Sequence, residues 1–253
     1  MSGPLTSTMP RADDTPISRT RPTTTVVQAA AERRLSRDER LIRALNVVVA
    51  TLILVASLPA WIIIAVAVKL TSRGPVFYTQ TRVGLDVRRR ADRRSGRAGP
   101  ARRCEDHGGR PFTIVKFRTM KINAEASGQA VWAATDDHRL TLVGGFLRSC
   151  RLDELPQLLN VIRGDMNLVG PRPERPQLFT ALREQIPDYQ RRQRVRPGIT
   201  GHAQVHLQYD TSVEDVKLKV QHDLEYIARR SVWEDLRIML KTIPVMLFRK
   251  GGW

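Results

Sequence analysis

Three shortages bound what this chain can be. Cysteine occurs only at Cys104 and Cys150 in 253 residues, which excludes a disulfide framework and predicts two free thiols in a reducing compartment. Cys104 and His107 stand at a metal-like spacing, but no second pair follows them, so a zinc module is excluded. His202 and His206 are four apart and lack the Glu that a metalloprotease helix needs; the spacing assigns them no metal. Aromatic residues make up 6%, and none is interleaved among Arg88, Arg89, Arg90, Arg93, Arg94, Arg97, Arg102 and Arg103. That argues against a stacking platform for single-stranded nucleic acid. Acids are scarce as well, 25 against 42 Lys plus Arg, for a net charge of +17. Such an excess predicts an anionic partner: nucleic acid, acidic lipid headgroups or phosphorylated substrates.

Long apolar runs are equally rare, with one instance. Residues 44–68 carry no charge, and 25 helical residues extend ~37 Å, enough for a hydrocarbon core of about 30 Å. Residues 1–36, rich in Thr, Ser, Pro and Arg, lack apolar periodicity and an apolar signal region; they read as a disordered tail and not as a secretory leader. Arg33, Arg34, Arg37, Arg40 and Arg43 precede the apolar run, and Lys69, Arg73 and Arg82 follow it. A spanning helix leaves one flank poor in Lys and Arg. Two basic flanks and Pro59 in the middle favour a kinked hairpin that enters and leaves on one side. An ordinary spanning helix is the competing reading.

The chemistry concentrates in residues 148–173, RSCRLDELPQLLNVIRGDMNLVGPRP. Asp153 and Glu154 open an apolar helical run, Asp153 with the character of an N-cap and Pro156 inside the first turn. The bare N–H groups of that turn, with Arg148 and Arg151 upstream, suit a phosphate. One acid there can attack phosphorus while its neighbour holds a hard divalent metal. The plain alternative is a helix cap beside a solvated acid. Arg172 stands between Pro171 and Pro173, so its guanidinium is aimed.

With Lys116-Phe117-Arg118-Thr119-Met120 upstream, the 153–174 run DELPQLLNVIRGDMNLVGPRPE, and PGITGHAQV over 197–205, the chain resembles the bacterial sugar transferase family. These are monotopic polyprenyl-phosphate phosphoglycosyl transferases, and the likeness runs from about Arg43 to the C-terminus. The resemblance implies transfer of sugar-1-phosphate from a nucleotide diphosphosugar, UDP-linked by family expectation, to polyprenyl (undecaprenyl) phosphate, with a nucleoside monophosphate released. It implies Asp153 as nucleophile, Mg²⁺ held by Glu154, and phosphate or nucleotide contacts from Arg148, Arg172, Lys116, Arg118 and Arg139. Asp223 matches a late acidic position as a further candidate. It also implies a re-entrant helix kinked at Pro59, although Leu58 stands where relatives have Ser and Asn46 where they have Asp.

The expected fold is α/β: a small helix-rich catalytic domain on a short sheet, anchored by the one membrane helix. Residues 1–36 form the tail, 37–70 the basic flank and helix, and 71–253 the cytoplasmic domain, with an Arg-rich insert at 85–110 near anionic lipid. Within it, 74–84 reads as a strand pair, 112–117 as a strand, and 140–150, 153–163, 176–185 and 213–227 as helices. A last helical stretch near the C-terminus has the pattern of an interfacial or core-packed element. With one apolar span ahead of the catalytic part, the small form of the family is expected, at a bacterial inner membrane, serving exopolysaccharide or other glycoconjugate synthesis. A non-catalytic membrane scaffold and a basic nucleic-acid-binding protein are the alternatives, the latter weakened by the lack of any recognisable module.

Overall fold

The structure, a computed structural model, describes residues 23–86, 108–122, 124, 137–207 and 212–248, with side chains from residue 38 to residue 246. The chain divides into two units, Met1–Arg37 and Asp38–Trp253; apart from the beginning of the first helix, everything below lies in the second. The centre of the Arg-rich insert lies outside the described residues, as do residues 1–22 of the expected tail.

Helix α1 covers Thr23–Thr71 without a break, Pro59 included. It begins inside the stretch for which a disordered tail is predicted, and the reason is local: Gln28-Ala29-Ala30-Ala31-Glu32-Arg33-Arg34 are strong helix formers. Asp38–Thr71 is long and apolar enough to cross a membrane, and little of its most apolar stretch is buried. Leu52, Val55, Ile62, Ile63 and Val66 are all exposed. The helix nevertheless docks on the domain at two places. Near its start Ile42, Asn46 and Ala50 are buried, and further along Ile64 and Val68 pack with Phe117 and Leu147.

Strand β1 (Phe77–Val83) pairs antiparallel with β2 (Pro111–Phe117), Phe77 opposite Phe117 and Val83 opposite Pro111. The expected strand pair in 74–84 is therefore one strand, whose partner lies beyond the insert. The insert's base is closed by bonds from Gly84 N to Arg110 O, from Arg110 N to Leu85 O and from Asp86 N to Gln193 O. Helix α2 (Leu142–Ser149) follows, capped by Thr141, whose hydroxyl accepts from Gly144 N at 3.0 Å.

A 3-10 turn over Leu152–Gln157 leads into α3 (Leu158–Arg163). The single helix expected over 153–163 is thus split, and Asp153 is no N-cap. Arg151 takes a left-handed conformation, φ 54°, which turns the chain two residues before Asp153 and leaves both acids inside the tight turn. Strand β3 (Asn167–Val169), α4 (Pro176–Gln185), a 3-10 turn at Tyr189–Arg194 and β4 (Gly198–Thr200) form a crossover unit. β3 and β4 are parallel, with Asn167 opposite Gly198. Among the described residues the short sheet is thus two separate two-stranded ribbons. Gly170 and Gly198 approach so closely that a Cβ on either would overlap the other's strand. Helices α5 (His202–His206), α6 (Val213–Arg229) and α7 (Val232–Phe248) complete the domain.

Val83, Phe179, Tyr189 and Val220 form one buried cluster; the largest core cluster contains Ala50, Ile114, Leu158, Val161, Met166, Val169, Tyr226 and Ile238, almost fully buried. Polar side chains stitch α1 and α3 to it. Asn160 donates to Thr113 O at 2.7 Å and accepts from Val115 N at 3.4 Å, acting as a strand partner for the free edge of β2. Arg43 donates to the carbonyls of Val161 and Ile162 at 2.5 and 2.8 Å, covering the end of α3. Asn46, fully buried, donates to Ile42 O at 2.7 Å and accepts from Leu168 N.

An Asp, which the family resemblance implies at this position, would offer Leu168 N the same acceptor. Asn46→Leu strands the buried Leu168 N–H and should cost about 1–3 kcal/mol. Thermal unfolding in detergent should show a lowered midpoint for Asn46→Leu and a smaller change for Asn46→Asp. Equal midpoints for wild type and Asn46→Leu would count against this docking contact.

Candidate active site

Asp153 and Glu154 are each 7% exposed. The 3-10 turn projects them against the end of β2, where Lys116 Nζ reaches Glu154 Oε1 at 2.5 Å. Arg172 Nη2 approaches the same oxygen at 3.4 Å. A shallow cleft, open to solvent, is lined here by Arg82, Lys116, Glu154, Gln157, Arg172 and Gly198, among others.

The two acids behave differently although they are neighbours. Burial alone would raise the Glu154 carboxyl, but Lys116, Arg172 and Arg151 outweigh it and hold it well below the usual carboxylate range. Burial dominates at Asp153 and, with the Glu154 charge adding to it, pushes that carboxyl up to about 6 against the opposing pull of Lys116, Arg148 and Arg172. Burial lowers Lys116 from its usual value, and Glu154 and Asp153 work against that. Near neutral pH Asp153 is therefore ionised, yet more basic than an ordinary carboxylate.

Arg172 owes its position to more than the two prolines beside it. All four carbonyls of residues 171–174 accept a bond. Gly198 N donates to Pro171 O at 2.9 Å and Arg192 Nη2 to Arg172 O at 3.4 Å. Arg82 Nη1 donates to Pro173 O at 3.1 Å, and Val83 N to Glu174 O at 2.9 Å. The turn is clamped along its whole length.

The expected site residues part company in the fold. Asp153, Glu154, Lys116 and Arg172 converge, with Arg148 close enough to act on Asp153. Arg118 turns away: it leaves the strand and donates from Nη2 to Ser72 O and Oγ at 2.8 and 2.7 Å, tying down the exit of α1. Arg139 grips Asp137 with two bonds of 2.7 and 2.6 Å, and that grip holds the Asp137 carboxyl down at about 2. Asp223 sits in a buried pair with Arg192, Nε to Oδ2 2.7 Å, apart from the acid pair. Arg82 and Arg192 were not foreseen. Arg82 looks like any strand-end charge, and Arg192 is one of four arginines in Arg191-Arg192-Gln193-Arg194-Val195-Arg196, which differ only once folded.

Two adjacent buried carboxylates are thus walled by fixed cations, on a domain carrying a helix long and apolar enough to cross a membrane. Residues 37–92 and 93–249 match the family described as bacterial sugar transferase, and the chain belongs to that family. It is 41% identical over 207 residues to a UDP-glucose:undecaprenyl-phosphate glucose-1-phosphate transferase of Caulobacter vibrioides, covering 81% of this chain and 69% of that protein. A UDP-N-acetylgalactosamine-undecaprenyl-phosphate N-acetylgalactosaminephosphotransferase of Aeromonas hydrophila is 38% identical over 210 residues. That match covers 83% of this chain and 44% of the relative, so the chain spans under half of its length. An exopolysaccharide production protein of Sinorhizobium fredii is 33% identical over 228 residues, 83% of this chain and 87% of its own.

The opposed shifts predict a titration that can be watched directly. Isotope-edited infrared spectra of carboxyl-labelled protein should show Asp153 protonating as pH falls through about 6, with Glu154 ionised throughout. Lys116→Met removes the largest charge opposing the rise at Asp153, so the midpoint should move to higher pH. A midpoint near the usual aspartate range in wild type would contradict the electrostatic assignment.

Proposed function

We propose that this chain transfers sugar-1-phosphate from a UDP-sugar to undecaprenyl phosphate, releasing UMP, in two steps through Asp153. The observation that carries this reading is the buried Asp153–Glu154 pair ringed by Lys116, Arg148 and Arg172. In the first step an Asp153 Oδ atom attacks the sugar-bearing phosphorus. The bond from that phosphorus to the bridging oxygen breaks, and UMP leaves with the electron pair. In the second step an oxygen of the lipid phosphate attacks the acyl phosphate, the Asp153–phosphorus bond breaks, and the carboxylate is restored. The clamped Arg172, together with Arg148, steadies the phosphate charges, and Lys116 holds Glu154 in place.

Glu154 also suits a hard divalent ion. Both of its recorded cation bonds fall on Oε1, which leaves Oε2 as an oxygen donor of the kind Mg²⁺ takes alongside substrate phosphate. Bound there, Mg²⁺ would offset diphosphate charge.

The placement of α1 supports a re-entrant helix, and its basic flanks favour the cytoplasmic face of the inner membrane. Asn46 and Val68, both buried on the same domain, are about 33 Å apart along a helix. A helix crossing a 30 Å core, roughly, leaves its two ends on opposite sides, where one domain cannot hold both. Pro59 lies between the docking points, at the stretch where α1 is most exposed.

Two experiments test the reading. Given a UDP-sugar without lipid, wild type should gain one phosphosugar on the Asp153 peptide and release one UMP per active site. Asp153→Asn should do neither, and Glu154→Gln should be slowed with partial rescue by added Mg²⁺. This half-reaction should also fade below about pH 6 as Asp153 protonates. UMP release strictly dependent on lipid would point to direct displacement instead. For topology, single cysteines at Ser7 and Ser95, in a Cys104→Ser, Cys150→Ser background, should both resist a membrane-impermeant reagent in intact cells. Labelling at Ser7 alone would establish a spanning helix.

A further inference from the structure

His202 and His206 stand one helical turn apart on α5, and α6 carries His222 against them. The ring centroids of His202 lie 4.4 Å from His206 and 5.2 Å from His222, and those of His206 and His222 are 5.9 Å apart. One ring nitrogen from each of the three lies within 4.8 Å of the others. The Nδ1 atoms of His202 and His222 are 3.3 Å apart. Two imidazole nitrogens bound at about 2.0–2.1 Å to one tetrahedral ion are separated by about 3.3–3.4 Å, so this pair already has the spacing of a shared metal. A hydrogen bond between the two rings also fits that spacing, but it needs one N–H and one lone pair and leaves His206 outside it.

His206 is held from both sides. Its Nδ1 meets the His202 carbonyl at 2.8 Å and its Nε2 meets Lys241 Nζ at 3.1 Å. The carbonyl contact orients the ring in the manner usual for a metal-bound imidazole. The Lys241 ammonium sits on a flexible stem at the surface, where it can withdraw to water. Glu225 and Glu234 both act electrostatically on His202, so the cluster has acids as well as a lysine in its neighbourhood and can offset a bound dication.

We propose that His202, His206 and His222 form a binding site for a borderline divalent transition ion of the Zn²⁺ class, with the fourth position left to water. Three imidazoles are a donor set for such ions and a poor one for Mg²⁺, which prefers oxygen. The site is therefore distinct in chemistry from Glu154. The sequence spacing of His202 and His206 assigned no ligand set; the third ligand comes from 16 residues beyond His206, through the packing of α5 on α6. An ion here would staple two elements that frame the active site. Helix α5 follows β4, whose Gly198 and Ile199 line the cleft. His222 adjoins Asp223, which holds Arg192 against the carbonyl of Arg172.

The test reads metal directly and does not depend on the transfer reaction. Full-length chain without an affinity tag, in detergent and excess Mg²⁺, is titrated with Co²⁺ and then with Zn²⁺ against a chromophoric chelator. Wild type should bind one Co²⁺ with the intense visible bands of a tetrahedral site, and Zn²⁺ should displace it. His202→Gln and His222→Gln should each weaken Zn²⁺ binding by more than about tenfold, while Asp153→Asn and Glu154→Gln leave it unchanged. Zn²⁺ should also shield the three histidines of wild type from carbethoxylation, which keeps the test intact if a variant fails to fold. Failure of wild type to bind, equal binding by a His202→Gln, His206→Gln, His222→Gln variant, or loss of the Co²⁺ bands in Glu154→Gln would overturn the proposal.

Discussion

Glu154 is a carboxylate taken out of water and held against the Lys116 ammonium and the Arg172 guanidinium. Removing such an ion from solvent costs several kcal/mol even after relaxation. The surrounding architecture can be understood as what makes that burial tolerable. Lys116 comes from the last turnless stretch of β2, and β2 is held on one edge by β1 and on the other by the side chain of Asn160. Arg172 comes from the clamped turn of residues 171–174. Remove either cation and the remaining charge is buried without a full set of partners, which is far worse than never having buried it.

A second buried charge network sits behind the first. Arg192 is only 4% exposed and touches Asp223, the Tyr189 hydroxyl at 2.9 Å, Glu174 at 3.7 Å and the carbonyl of Arg172. Burial raises Asp223 from its usual value against the pull of Arg192. This network contacts the backbone of the Arg172 turn and not the acid pair. Its effect on the site is therefore positional: it fixes where the guanidinium of Arg172 begins its reach. Asp223, a candidate on resemblance, pairs with Arg192, which in turn donates to the carbonyl of Arg172.

Local signals were legible where the chemistry is local. The helix expected over 176–185 is α4, and the Pro-Arg-Pro run marked Arg172 as aimed. Adjacent acids following Arg148 and Arg151 marked the carboxylate pair that the fold buries beside Lys116 and Arg172. What stayed hidden depended on distance or on a single backbone angle. Nothing in residues 77–83 says that their partner begins at Pro111, with the insert between them. No residue preference marks Arg151 as left-handed, since Arg has no special liking for that region, yet that one angle turns an expected helix cap into a buried 3-10 turn. Arg118 and Lys116 are two apart and would share a face in a continued strand. The strand stops at Phe117, and Arg118 is drawn to Ser72 instead.

The division of labour between the two acids follows from this tight turn. Successive residues of a 3-10 helix are rotated by about 120°, so adjacent side chains cannot share one environment. Glu154 is directed at Lys116 and Arg172 and is fixed in its charged form. Asp153 lies in the field of the same cations and is left with a carboxylate that is ionised at neutral pH but raised in basicity by burial and by the Glu154 charge. A regular α-helix capped by Asp153 would have spent that carboxylate on backbone N–H groups, which lowers a carboxyl and dulls it as a nucleophile. The left-handed Arg151 averts this outcome. A conformation that costs about 1–2 kcal/mol thus keeps the Asp153 carboxylate out of a helix cap and beside a Glu154 that lines a cleft with Lys116, Arg82 and Arg172.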